Sequence, residues 1–122
     1  MKVFGVALHL VQDLTVPHHA GCQVLFNHRE YEDWLHRNIE NTPSIPTSNG
    51  IYDHNRYPTQ WVYSNARDAY GYFGYCDGIN RNTWNPLTWF TQNEDPERVR
   101  NAMIPLAVRT SAGFIDYFLS KI

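Results

Sequence analysis

The sequence predicts an all-α domain, and three observations carry that prediction. From residue 95 onward, Asp95-Pro96-Glu97 supplies a helix start, and Val99, Met103, Leu106, Thr110, Phe114 and Tyr117 then recur at helical spacing to the end of the chain. In residues 28 to 40, HREYEDWLHRNIE, the same periodicity puts Tyr31, Trp34, Leu35 and Ile39 on one side. Strand-like alternation is scarce throughout. At 122 residues the chain has the length of one domain with a moderate core, and residues 1–122 are read as a single unit.

Taken in order, residues 2 to 14 are apolar on almost every face, which predicts a buried central helix. No Ser, Thr, Asp or Asn precedes it at Met1 or Lys2, so the chain reads as starting inside a helix. Pro17 breaks that helix. Residues 28 to 40 form a second helix docked along its apolar stripe. The segment NTPSIPTSNGIYDHNRYP, rich in Pro, Asn, Ser and Gly, is predicted to be a long surface loop. A third helix is expected over residues 59 to 74, followed by a Gly/Asn-rich connection and a short helical turn near NPLTWF. In the last helix Asp95 is the cap, Pro96 takes the first position and Glu97 faces the positive end of the dipole. Pro105 is predicted to kink it, because its ring removes a backbone donor and crowds the preceding turn.

Composition excludes several classes of function. A net charge of -2, from 10 basic and 12 acidic residues, offers no footprint for duplex nucleic acid. No run of about eighteen apolar residues is long enough to span a bilayer. The first ten residues lack the pattern of a signal peptide. Cys22 and Cys76 leave both a disulfide and two free thiols open.

One stretch, ALHLVQDLTVPHHAG, sets three histidines and an aspartate among leucines and valines, where buried polar groups are costly without partners. His9 and Asp13 share a helical face, His19 follows after the proline, and His28-x3-Glu32 repeats the spacing nine residues later. Zinc takes imidazole nitrogen and carboxylate oxygen, and a catalytic zinc keeps an open position beside three protein ligands. His19, His28 and Glu32 make one such set. His9 and Asp13 then belong to a second site, where a carboxylate can bridge two ions. His18, His36, His54 and Cys22 are read as core or surface residues, and Glu30 and Asp33 as a solvated face.

These same residues carry a resemblance. LHLVQDLTVPHHA resembles the central helix and turn of the bacterial zinc-dependent phospholipase C family, which has H-x3-D-x5-H in a similar hydrophobic frame, and HREYE resembles its following H-x3-E motif. SNARDAYGYF and AVRTSAGFIDYFLSKI are similar to the family's last two helices. The related single-strand nucleases share the first motif but have Asp where Glu32 stands, so Glu32 favours the phospholipase branch. The resemblance implies an all-α enzyme with up to three zinc ions. His9 would join the first ion, Asp13 would bridge two ions and be essential to catalysis, and His19, His28 and Glu32 would hold the third. It also implies a secreted enzyme that cleaves phospholipid at a membrane surface to diacylglycerol and a phosphorylated head group. The likeness covers the C-terminal half of the family's fold. The remaining family ligands have no counterpart here, and the His19 to His28 spacing is shorter than in the bacillary members. The expectation is therefore a homo-oligomer, or a complex with an N-terminal half, with little turnover by these residues alone. A single-strand nuclease and a non-catalytic zinc-binding fragment are the alternatives.

Overall fold

The computed structural model describes residues 2–21, 28–44, 55, 57–76 and 95–122, with only the backbone of His28. Helices α1 (Lys2–Asp13), α2 (Pro17–Ala20), α3 (His28–Asn38), α4 (Pro58–Tyr70), α5 (Phe73–Cys76) and α6 (Pro96–Leu119) make an all-α fold, with no strand among the described residues. Most of the expected surface loop, the turn near NPLTWF, Cys22 and His54 lie outside the described residues, and so does any disulfide between Cys22 and Cys76.

Local chemistry accounts for the element ends. Asp95 Oδ1 accepts a hydrogen bond from Arg98 N at 3.0 Å, which makes it the cap that the sequence predicts for α6. Tyr57 N donates to Gln60 Oε1 at 2.9 Å and closes the first turn of α4. The helix expected over 59 to 74 is two helices, because Gly71 and Tyr72 form a turn whose N–H groups reach back to the carbonyls of Arg67 and Ala69. The helix expected to reach residue 40 ends at Asn38 and tightens into a 3₁₀ turn, Ile39–Asn41. α6 runs past Pro105 unbroken, with Met103 and Leu106 on either side anchored in one apolar cluster.

Helices α4 and α6 run antiparallel and carry the core. In one cluster Trp61 meets Phe114 edge-on, with ring centroids 5.5 Å apart, and Val11 of α1 joins them. In the other, Ala69 and Leu106 pack with Met103, Val99, Cys76 and Tyr31. Between the clusters, one turn from Trp61 and from Phe114 respectively, sit the buried polar side chains Asn65 and Thr110. Asn65 Nδ2 donates to Thr110 Oγ1 at 3.1 Å and to the Val11 carbonyl at 2.8 Å. Thr110 Oγ1 in turn donates to the Leu106 carbonyl at 2.8 Å.

The prediction of a buried central helix at the start of the chain is not met. Val11 is the one buried residue of α1, whereas Val3, Val6 and Leu10 are 83%, 71% and 47% exposed. Among the described elements, α4 and α6 lie against the opposite face of α1. There Phe4 stacks on Phe118 at 4.1 Å, and Gln12 Nε2 donates to Ser111 Oγ at 3.1 Å.

The Asn65 amide carries a testable load. An Asn65→Ala chain keeps the apolar layers but leaves the Val11 carbonyl buried without its donor, a loss of about 2–3 kcal/mol. Urea denaturation of the two chains measures it, with Ser64→Ala as a surface control within about 0.5 kcal/mol. A loss for Asn65→Ala no larger than that control would mean that water takes over the carbonyl.

Candidate functional site

Two of the candidate ligands, Asp13 and His19, are brought together by the way α1 ends. Beyond Asp13 the backbone tightens, with Thr15 N donating to Gln12 O at 2.9 Å and Val16 N to Asp13 O at 3.0 Å. Val16 is extended, at φ -87° and ψ 117°, as the residue before a proline is driven to be. Pro17 then opens the single turn of α2, where the lost N–H costs nothing. The expected helix break is thus also a helix start, and it folds His18 and His19 back toward the end of α1.

Adjacent in sequence, these two histidines point in different directions. His18 is fully buried, its ring 5.4 Å from that of Tyr31 and 5.7 Å from that of Phe73. His19 is half-buried and stands between two carboxylates. Its Nδ1 lies 2.8 Å from Asp13 Oδ1 and 3.0 Å from the Asp13 carbonyl, and its Nε2 lies 3.9 Å from Glu32 Oε1. Side-chain exposure is 20% for His19, 37% for Asp13 and 47% for Glu32. Both oxygens at Nδ1 can only accept, so that nitrogen carries the proton and donates. In the neutral ring the lone pair is then on Nε2, the nitrogen on the Glu32 side.

Glu32 is positioned by the burial of its neighbour. Tyr31 is in the core beside Ala69 and Cys76, which fixes α3 one residue before Glu32. Arg100, buried on α6, holds the other end of α3, donating from Nη1 to the Asn38 carbonyl at 3.2 Å and lying 5.7 Å from the Trp34 ring. A cation at that carbonyl also complements the helix dipole. Tyr31 is on the docked side that the sequence predicts, whereas the sequence reading missed Arg100 and Asn65 as supports. An arginine and an asparagine within otherwise apolar helical stripes are the signal that could have found them.

The other expected ligands are placed as follows. His9 is exposed on α1, and no hydrogen bond or ion pair joins it to Asp13, which turns to His19 instead. His28 opens α3 one turn before Glu32. His36 is exposed on α3, and Asp33 faces solvent with Arg29. Among the described residues no three His, Cys, Asp or Glu side chains converge as a metal-ligating group. His19 Nε2 and Glu32 Oε1 are two donor atoms 3.9 Å apart, wider than the about 3.4 Å between two ligands of a tetrahedral zinc at about 2.1 Å. A groove of about 420 Å³ between α4 and α6, flanked by Arg67, Tyr72, Met103 and Arg109, lies apart from this cluster.

No protein-family model matches the chain, and neither does any curated protein or solved structure.

Behind the site, burial pushes the Tyr31 hydroxyl well above its ordinary value of 10.0, and the neighbouring Cys76 adds to the rise. The folded chain therefore keeps this proton where the unfolded chain releases it. The associated stability is complete below pH 10 and is lost as pH rises above it, at about 1.4 kcal/mol per pH unit. Denaturant titrations between pH 9 and 11 should show Tyr31→Phe with the shallower alkaline decline. Equal slopes for the two chains would mean that Tyr31 ionises in the folded state.

Proposed function

We propose that this chain is the zinc-binding part of a phosphodiesterase of the phospholipase C type, acting on phospholipid to release diacylglycerol and a phosphorylated head group. The observation that carries this reading is His19 held between Asp13 and Glu32, with one ring nitrogen fixed on a carboxylate and the other directed to a second carboxylate. The order of residues in His9-x3-Asp13-x5-His19 and His28-x3-Glu32 supports it further.

His19, His28 and Glu32 are the residues that would hold zinc. When bound, zinc supplies a water of lowered pKa and positive charge for the phosphate oxygens. The protein's own share is positional. Asp13 accepts the Nδ1 proton of His19, while Tyr31 and Arg100 hold the helix that bears Glu32. His9 is exposed one turn along α1 from Asp13. Because the remaining ligands of the family pattern are not among these residues, the 122-residue chain is expected to bind zinc and to hydrolyse phospholipid slowly. The exposed Val3, Val6 and Leu10 stripe supports assembly, as a homo-oligomer or with further helices, since contiguous apolar patches are rare on monomers.

Zinc titration followed by elemental analysis tests the reading. About one equivalent or more should remain bound to the wild type, and be lost in His19→Ala and His28→Ala but kept in His36→Ala. Phosphatidylcholine vesicles and single-stranded DNA, each with and without a chelator, test the substrate. Slow chelator-sensitive release of diacylglycerol supports the proposal, and chelator-sensitive DNA cleavage alone would transfer the chain to the nuclease branch. Zinc binding with neither activity would leave a non-catalytic zinc-binding fragment, and less than about a tenth of an equivalent overturns the reading altogether. Light scattering at micromolar concentration should give a mass above the 14.3 kDa of one chain.

A further inference from the structure

The outer side of α6 carries an apolar row that the two core clusters do not use. Val108, Ala112, Ile115 and Leu119 follow one another at steps of four, three and four residues, the spacing of a seam that meets a second helix. Val108, Ile115 and Leu119 are 46%, 37% and 59% exposed. A shallow hollow of about 300 Å³, lined by Ala112, Ile115, Asp116 and Leu119, opens along the row. Its two flanks differ. On one, Phe118 stacks on Phe4 and Ser111 accepts from Gln12, so that side is closed by α1 of the same chain. On the other stand Arg109 and Asp116, two turns apart and opposite in charge.

We propose that this row is a self-association face, on which α6 of a second copy packs antiparallel about a two-fold axis with Arg109 of each chain facing Asp116 of the other. It gives a place and an orientation to the assembly expected above and does not depend on zinc.

The spacing sets the register. In an antiparallel seam centred between Ala112 and Ile115, Ala112 faces the second copy's Ile115 and Val108 faces its Leu119, so each layer sets a larger side chain against a smaller one. That register brings the charged flanks of both copies to one side, with Arg109 opposite Asp116 and, by the two-fold, Asp116 opposite Arg109. A parallel pair would instead set Ala112 against Ala112, Asp116 against Ser111 and Arg109 against Ile104, which leaves each charge without its opposite. A face that binds its own copy must complement itself, and the antiparallel arrangement does so in both shape and charge.

Sedimentation equilibrium over micromolar to submillimolar concentration tests the proposal, with circular dichroism confirming that each variant is folded. The wild type should form a dimer, and Ile115→Lys should abolish it. Arg109→Glu and Asp116→Arg each set like charges opposite one another twice per dimer, and each should weaken association about tenfold or more. The chain carrying both substitutions restores opposite pairs and should return to within about twofold of the wild type. Because it contains the same two changes, its recovery would show that the single losses come from the charges and not from damage to α6. Single losses without recovery in the double variant overturn the antiparallel register. Association that survives Ile115→Lys but is lost in Val6→Lys places the contact on α1 and overturns the proposal. A wild type that stays monomeric overturns it together with the expected assembly, and leaves the zinc reading to its own titration.

Discussion

The structure depends most on one amide. In an uninterrupted α1 the Val11 carbonyl would accept from Thr15 N, but Thr15 N turns to Gln12 O and Asn65 Nδ2 replaces it from another helix. The Leu10, Gln12 and Asp13 carbonyls find donors in Leu14, Thr15 and Val16. Asn65 therefore completes the satisfaction of the helix end while lying between the two apolar clusters of the core. Because the same amide also donates to Thr110, the end of α1 is registered against α4 and α6 together. Asp13 is two residues from that anchor, and the placement of the candidate site follows from it.

The second constraint comes from α6. Its buried stripe serves both clusters, with Phe114 in one and Val99, Met103 and Leu106 in the other, and its Arg100 reaches out to the end of α3. Glu32 is thus held through Tyr31 and Arg100, and His19 through Asn65 and the proline turn. Two routes of packing converge on the 3.9 Å between the imidazole and the second carboxylate. Neither route passes through His9, and its exposure is consistent with that.

The long periodic segments were the most legible part of the sequence. The α6 stripe, its Asp95 cap and the apolar side of α3 could be read directly, because repeated spacing over several turns leaves few alternatives. The depth of α1 could not be read. A helix that is apolar all round says that its faces prefer cover, not which neighbours are there to cover them, and Val3 and Leu10 have none on their side among the described elements. The end of α4 was missed because Tyr70, Tyr72, Phe73 and Tyr75 continue an apolar pattern through a turn. For the site, spacing grouped His19 with His28 and Glu32, and Asp13 with His9, and it gave no sign that Asp13 and His19 pair with each other. That pairing arises from the reversal at Pro17, a three-dimensional consequence of one proline.

The neighbouring histidines have a consequence of their own. His18 and His19 differ in no chemical respect, and only about 100° of helical rotation separates a ring packed against Tyr31 and Phe73 from one set between two carboxylates. Each fate is written in the count of residues after Pro17, not in the side chain. A single insertion or deletion in that turn would exchange interior for surface without altering the composition of the segment. The length of this short link is accordingly a sharper constraint on the chain's descendants than the identity of many residues around it.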